Sequence, residues 1–156
     1  MMRRFILFAF VITLFSAGCA KEDQYDAAKQ LVADEVLIKD FIAKNNITAV
    51  RHSTGLYYTI INPGSGSYNY TTNTVVNVKY TGTLLNGQLF DSATTGTDIP
   101  LGQVIDGWQI GIPLIQKGGK IRLIIPSPLG YRNMARGSIP ANSVMDFTVE
   151  LLDVKN

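Results

Sequence analysis

Side chains that could carry nucleophilic or metal-based catalysis are scarce in this chain. Its 156 residues include one histidine, His52, and one cysteine, Cys19. One imidazole and one thiol cannot supply the ligand set of a zinc site, and no serine lies within the motifs of a catalytic triad. His52, in the segment RHSTG, is interpreted as a solvated residue. If the protein is an enzyme, we expect it to work without a metal, a covalent nucleophile or a cofactor.

The glycine-rich segment KGGK at residues 117–120 is a weak candidate for phosphate binding. Its spacing differs from that of a phosphate-binding loop, and no Ser or Thr follows the second lysine. No acidic loop in the sequence has the ligand spacing of a calcium site. We therefore interpret KGGK as a tight turn between a helix and a strand.

The single tryptophan, Trp108, lies in the segment QVIDGWQIGIPL, with Gly107 directly before it and Gly111 three places after it. An indole offers a large, flat apolar surface with little conformational freedom to lose. Such a side chain can fill a core, or it can form the floor of a ligand pocket. The segment alone leaves both interpretations open.

The first 19 residues, MMRRFILFAFVITLFSAGC, have the composition of a secretory leader. Arg3 and Arg4 form its basic start, and residues 5–15 form an apolar stretch that is too short to span a bilayer comfortably. The end, SAGC, resembles the lipobox of bacterial lipoproteins, although Ser16 stands where a leucine is usual. We expect a signal peptide over residues 1–18 and lipid attachment to Cys19. An ordinary secretory signal with a chance cysteine is the alternative.

This leader determines where we expect the protein to act and which partners its charge excludes. Lipidation predicts an envelope lipoprotein with a membrane anchor, at the outer membrane, on either the periplasmic or the surface face. Of 14 Lys and Arg residues, Arg3 and Arg4 lie in the leader, which leaves 12 against 12 Asp and Glu and a net charge of zero. A chain without excess positive charge gives no indication of a nucleic-acid partner.

Residues 23–44 are predicted to form a helix, because apolar side chains recur on one face and NN at 45–46 is a suitable stop. The expected apolar face contains Ala28, Leu31, Ile38 and Ile42, flanked by Val32 and Phe41 and interrupted by Glu35. No titratable cluster marks this segment as a site. We interpret residues 19–52 as a tether and an accessory helix that either packs on the domain or forms a dimer with a second copy.

From about residue 54 the apolar pattern has a period of two, which is typical of strands. The predicted strands are GLYYTII, TVVNVKYTGTLL, QLFDS, KIRLIIP and DFTVELLDV, with an Asn-Gly hairpin turn at 86–87 and one short helix, GWQIGI, that ends or kinks at Pro113. In the last strand Met145, Phe147, Val149 and Leu151 share one face. The fold class is therefore α+β, with a mostly antiparallel sheet over residues 53–156 and Trp108 under its concave face.

Four segments in order, VVNVKYTGTLLNGQLFDS, LGQVIDGWQIGI, GGKIRLIIPSPLGY and IPANSVMDFTVELLDV, resemble the FKBP-type peptidyl-prolyl cis-trans isomerases. The resemblance covers about residues 74–155. It implies a curved antiparallel β-sheet wrapped around one short helix, with a pocket between them. It also implies a rotamase that assists the folding of envelope proteins, binds proline-containing segments without a cofactor, and is inhibited by macrolides.

Matched to the family, Trp108 takes the place of the pocket floor on which the proline ring rests. Asp91 matches the buried acid at the rim, and the Tyr131 hydroxyl and the Ile105 N–H match the two donors to substrate carbonyls. The residues that match the apolar wall are Tyr80, Phe90, Val104, Ile105, Tyr131, Ile139 and Phe147. Several of these would also be core residues in any protein of this fold, so their presence alone does not prove activity.

The chain departs from the family pattern around the expected pocket. Thr97 and Ile99 stand where an aromatic pair is common, Arg132 replaces a usual glycine, and Ser138 replaces an apolar residue. With Arg136, these changes predict a basic loop that favours acidic residues near the substrate proline. They also leave two alternatives open: an FKBP-like binding module with little turnover, and a structural lipoprotein that assembles through its N-terminal helix.

Overall fold

The computed structural model describes residues 24–155. The predicted leader, Cys19 and the first residues of the tether lie outside the described residues. The helices and strands are α1 (Ala27–Lys44), β1 (Val50–Arg51), β2 (Tyr57–Asn62), β3 (Val75–Leu84), β4 (Leu89–Pro100), α2 (Asp106–Gly111), β5 (Lys120–Ile125) and β6 (Met145–Lys155), with short 3₁₀ turns at Leu101–Gln103, Ile112–Leu114 and Ser127–Leu129.

The strands form one antiparallel sheet in the order β1-β2-β5-β6-β3-β4. This arrangement confirms the predicted α+β class. The hairpin between β3 and β4 turns at Asn86-Gly87, where Gly87 has a φ of 85° and donates its N–H to the Leu84 carbonyl at 2.9 Å. Strand β4 continues to Pro100, well beyond the predicted QLFDS segment, and is joined to β3 with two register shifts.

The inner face of the sheet carries the main core, and α2 covers it. Val76, Val78 and Val149 are fully buried on this face, as strict alternation along β3 and β6 requires. Gly107 and Gly111 let α2 approach β5 closely, because a Cβ on either would lie 2.5 Å from Ile125 or Leu123. After α2, Pro113 stands in the 3₁₀ turn that ends the helical segment, as predicted.

Helix α1 lies against the opposite face of the sheet. Its fully buried Ile38 packs in a second cluster with Tyr57, Ile124 and Val144. In β2 and β5, Tyr57 and Ile124 directly neighbour residues that point into the main core, so they point the other way. Of the two arrangements left open for this helix, the structure shows packing on the domain.

The predicted face of α1 was partly wrong. The helix begins at Ala27 rather than residue 23, because the Asp26 side chain caps it by accepting the N–H groups of Ala28 and Lys29. Ala28 is exposed, whereas Asp34, which the apolar pattern left out, is fully buried. A search for apolar periodicity cannot find Asp34, since its burial depends on polar partners that come from another part of the chain.

The outer face of β6 is more buried at Asp146 than the alternation of polar and apolar residues along the strand predicts. Asp146 lies on the face opposite Met145 and Phe147, yet it is only 8 % exposed. Arg122 on β5 donates to both of its carboxylate oxygens, at 2.9 and 2.6 Å, and the Arg122 guanidinium lies 5.7 Å from the ring centroid of Phe41 on α1. The accessory helix therefore shields this ion pair from water.

Two smaller predictions concern His52 and KGGK. His52 is half-buried rather than freely solvated, with its Nδ1 2.9 Å from the Thr54 hydroxyl oxygen. The segment KGGK is a tight turn, as predicted: Gly118 has a φ of 78° and the Gly119 N–H donates to the Gln116 carbonyl.

Among residues 24–155, no helix combines the length and the apolar character needed to cross a bilayer.

Candidate functional site

A cavity of about 550 Å³ opens between α2, the inner face of the sheet and the loop that follows β5. Its walls combine aromatic and aliphatic side chains with charged groups at the mouth. The lining residues are Tyr80, Asp91, Ile99, Gln103, Val104, Ile105, Asp106, Trp108, Gly130, Tyr131, Arg132, Met134, Arg136 and Phe147.

Trp108 forms the base of this cavity and is 4 % exposed. Its ring makes edge contacts with Tyr80 at 5.1 Å and with Phe147 at 5.4 Å between ring centroids. Such perpendicular pairs are favoured by the aromatic quadrupoles. Two bonds on the Ile105 carbonyl, from the N–H groups of Trp108 and Gln109, fix the first turn of α2 and thereby the position of the indole.

Tyr80 and Asp91 are held together across the β3–β4 pair. The Tyr80 hydroxyl donates to Asp91 Oδ2 at 2.8 Å. Burial, followed by the hydrogen bond to Asp91, raises the pKa of Tyr80 to about 12. Asp91 itself is exposed, in contrast to the buried acid that the resemblance implied, because β4 is an edge strand and its rim is open to solvent.

The raised Tyr80 pKa predicts a loss of stability in alkaline solution. An unfolded tyrosine ionises near pH 10, whereas folded Tyr80 stays neutral to about pH 12. Above pH 10 the unfolded state therefore loses the proton first and is favoured. We expect the free energy of unfolding to fall between pH 10 and 12, and to fall less in Tyr80→Phe. Urea unfolding of both proteins at pH 8 and pH 11 measures this. An equal fall in the free energy of unfolding between these pH values in both proteins would contradict the assignment.

Tyr131 is held in the loop after β5 by backbone contacts on both sides. The Ser127 carbonyl accepts the N–H groups of Gly130 and Arg132, each at 2.9 Å. Arg132 has a φ of 58°, in the left-handed region that glycine occupies without strain. A glycine is usual at this position in the family that the chain resembles. The backbone geometry explains this preference, because glycine adopts a positive φ without strain.

The two arginines of this loop differ in their surroundings. Arg132 lies 3.7 Å from the carboxylate of Asp106, so its charge is partly balanced at the cavity mouth. Arg136 places its guanidinium 5.5 Å from the ring centroid of Tyr131, a distance at which a cation is attracted to the ring face. Arg136 therefore covers one side of the tyrosine.

Seven of the nine residues expected at the site line the cavity, and two lie behind it. The Phe90 ring packs edge-on against Phe147 at 5.3 Å. Ile139 is 7 % exposed within the main core, and its backbone pairs with that of Arg136. Both support the wall rather than face the opening.

Some lining residues were missed by sequence reasoning. Gln103 and Asp106 flank the Val104-Ile105 pair, so their closeness in sequence to expected wall residues was an available signal. Met134 gave none, because only the path of the loop brings it to the cavity. Thr97 is absent from the lining among the described residues, whereas Ile99 takes part in it.

The chemistry available here is apolar binding with a few fixed hydrogen-bond groups. In residues 24–155 no group of three His, Cys, Asp or Glu side chains could hold a metal ion. The geometry defines a class of small α+β domains in which a short helix closes an aromatic pocket against an antiparallel sheet. A pocket of this kind binds apolar groups, and its few polar groups fix their orientation.

Comparison with known proteins shows the family to which this domain belongs. The model of the family described as "FKBP-type peptidyl-prolyl cis-trans isomerase" matches residues 66–152, and the chain belongs to this family. It is 42 % identical over 131 residues to FkpA of Buchnera aphidicola subsp. Schizaphis graminum, covering 82 % of this chain and 51 % of that relative.

Two further comparisons concern Escherichia coli. The chain is 38 % identical over 150 residues to FkpA of strain K12, covering 94 % of this chain and 54 % of the relative. The crystal structure of FkpA from Escherichia coli superposes with a TM-score of 0.70 at 36 % identity, over 83 % of this chain and 62 % of that one. The chain thus spans about half the length of the curated relatives it matches.

Proposed function

We propose that the protein is a peptidyl-prolyl cis-trans isomerase that assists the folding of envelope proteins. The observation that carries the proposal is the base of the cavity, where Trp108 meets Tyr80 and Phe147 edge-on in a chain that belongs to this family. Its substrates are proline-containing segments of other polypeptides. Both FkpA relatives are named as peptidyl-prolyl cis-trans isomerases, which supports the same activity.

The reaction needs no covalent step. An X–Pro bond rotates over a barrier of about 18–20 kcal/mol that arises from amide resonance. At the twisted midpoint the resonance is lost and the carbonyl is less polar, so an apolar pocket favours this state over the planar amide. The pocket also removes water that stabilises the planar form. Trp108 and Phe147 then act by binding the twisted conformer more tightly than the ground state.

Three residues have proposed catalytic roles at the rim. The Tyr131 hydroxyl and the Ile105 N–H donate hydrogen bonds to substrate carbonyls that flank the bond, and so fix one side of it while the other turns. The Ile105 N–H stands at the N-terminal end of α2, where N–H groups need partners outside the helix. Asp91 orients Tyr80 through their 2.8 Å hydrogen bond.

A protease-coupled assay on short X–Pro peptides tests the proposal, with the chain from Ala20 to Asn156. We expect acceleration over the uncatalysed rate and inhibition by a macrolide that competes for the same cavity. A folded protein that gives no acceleration but still binds unfolded chains would instead be the binding module. The two departures from the family pattern in the loop after β5, Arg132 and Ser138, favour this second candidate.

Substrate preference is proposed to depend on Arg136. Asp106 balances Arg132, and among the ion pairs of residues 24–155 none involves Arg136, so its charge is available to the substrate. We expect peptides with an acidic residue beside the proline to be turned over about threefold faster than their lysine counterparts, a difference typical of an exposed charge pair. In Arg136→Gln the ratio of the two rates should fall to about one, and 1 M salt should lower the ratio in the wild type. A ratio unchanged in Arg136→Gln would contradict the assignment.

We further propose that residues 1–18 are a signal peptide, that Cys19 is lipidated, and that residues 19–52 tether the isomerase domain, 53–156, to the outer membrane. The basic and apolar parts of the leader and the SAGC end support this. Metabolic labelling with a radioactive fatty acid tests it, with Cys19→Ala as the control. Label in the wild type that is lost in Cys19→Ala supports the anchor. An unlabelled protein that is recovered from the envelope without its leader indicates an ordinary secretory signal.

The last part of the proposal is a dimer that forms through the side of α1 that does not pack on the domain. Val32 and Val36 are 68 % and 65 % exposed on the side of α1 that faces away from the sheet, one turn apart, and Ala43 lies on the same side. A second copy of this helix is the proposed partner. Sedimentation equilibrium of the wild type and of Val32→Lys/Val36→Lys tests it, with a dimer expected only in the wild type. A wild type that is monomeric at about 100 µM, on the order of the dissociation constant of a weak dimer, would refute it.

A further inference from the structure

The accessory helix carries a fully buried acid that apolar packing does not explain. Asp34 Oδ2 accepts two hydrogen bonds from Ser127, from its N–H at 2.7 Å and from its hydroxyl at 2.6 Å. Asp34 Oδ1 accepts a third from Gln30 Nε2 at 2.7 Å. A buried carboxylate is costly unless such donors surround it. Ile38, one turn further on, already attaches the helix to the sheet by apolar contact.

Ser127 links this acid to the loop that carries Tyr131. Its N–H and hydroxyl are held by Asp34, while its carbonyl accepts the N–H groups of Gly130 and Arg132. Tyr131 therefore stands between two residues whose backbone is fixed by one serine. Both Asp34 and Ser127 are fully buried, so water does not compete for these bonds.

We infer that Asp34 is a positioning residue for Tyr131, and that α1 is in this way a working part of the pocket although it lines none of the cavity described above. The inference rests on the proposed isomerase activity. Asp34 acts through Ser127 and touches no substrate. Without its carboxylate, the turn at Ser127–Leu129 loses its fixed start and the Tyr131 hydroxyl samples positions away from the substrate carbonyl.

The test compares Asp34→Ala with Ile38→Ala in the peptide assay, using the chain from Ala20 to Asn156. Ile38→Ala removes packing from the same helix but leaves Ser127 bonded to Asp34. We expect Asp34→Ala to lower kcat/KM about fivefold, within the range by which misplacement of a positioned group reduces rates. We expect Ile38→Ala, assayed under conditions in which circular dichroism shows it to be folded, to retain the wild-type kcat/KM.

A second comparison separates positioning from general damage to the fold. In a Tyr131→Phe background no hydroxyl remains to be positioned, so Asp34→Ala should have no further effect on kcat/KM. Should Asp34→Ala prove unfolded, Ser127→Ala replaces it, because this variant removes the hydroxyl donor and keeps the carbonyl. It should show a smaller loss that also vanishes in Tyr131→Phe.

Two results would overturn the inference. One is an equal loss of kcat/KM in Asp34→Ala and Ile38→Ala. The other is an undiminished effect of Asp34→Ala, or of Ser127→Ala, in the Tyr131→Phe background. Either result leaves wild-type activity intact, so it differs from failure of the proposed function, in which the wild type itself does not accelerate isomerisation.

Discussion

Replacing Trp108 with alanine is expected to lower kcat/KM for X–Pro peptides about 100-fold, which corresponds to about 2.7 kcal/mol of lost transition-state binding. In the proposed mechanism the indole is the floor on which the proline ring rests, and it has Tyr80 and Phe147 at its edges. Removing it opens a cavity that water enters, so the less polar midpoint of the rotation loses its advantage. The protease-coupled assay measures this directly.

The same substitution costs stability, so its effect on activity needs a matched control. Truncation of a buried tryptophan costs about 3–5 kcal/mol. Ile115→Ala is the control, because Ile115 is 1 % exposed in the same core and is absent from the cavity lining. Its truncation costs about 2–5 kcal/mol, yet we expect its kcat/KM to match the wild type wherever it is folded. Similar losses of kcat/KM in both variants would show that activity follows stability and that the indole has no specific role in catalysis.

Gly111→Ala is expected to destabilise the protein by about 1–3 kcal/mol, the usual cost of overpacking a core. A Cβ at this position would lie 2.5 and 2.8 Å from the two terminal carbons of Leu123. The backbone itself is helical there, with φ −81° and ψ −41°, so an alanine adopts it without strain. The cost therefore comes from the contact with Leu123, because either its side chain or helix α2 must shift to make room.

The sign of this effect should reverse when the obstructing side chain is removed. Leu123→Ala alone costs about 2–5 kcal/mol through the cavity it leaves. In that background Gly111→Ala meets no obstacle and gains the helix preference of alanine over glycine, about 1 kcal/mol. Urea unfolding of the wild type, the two single variants and the double variant measures the coupling. Additive costs would mean that another contact sets the distance between α2 and β5.

The strands, the hairpin and the short helix were predictable because each depends on local signals. Alternation in β3 and β6 places Val76 and Val149 on the inner face whatever the partner strands are. The Asn-Gly turn and Pro113 set backbone dihedral angles directly. The long β4 was not predictable from its own residues, since TTGTD has no apolar alternation and is extended only because β3 pairs with it.

The candidate site, like the fold, was predictable from the sequence only in part. The residue types for an apolar pocket, and their order along the chain, were visible in the sequence because they match a family pattern. Their division into lining and supporting residues was not predictable. Phe90 stands behind the wall because its ring packs on Phe147, whereas the path of the loop after β5 brings Met134 to the cavity and leaves Ile139 behind it. Asp91 is exposed because it lies on an edge strand, a fact that depends on strand order.

What the sequence determined by itself is therefore the class of the fold, the aromatic pocket and the family to which the chain belongs. The packing of α1 on the domain and the bonds from Ser127 to Asp34 were decided by the tertiary structure alone. Asp34 and Ser127 are 93 residues apart in the chain, and neither matches a motif. The periodicity of a helix shows which side chains share a face, but a buried acid is stable only where folding brings donors to it. Such contacts depend on long-range packing, which local patterns do not encode.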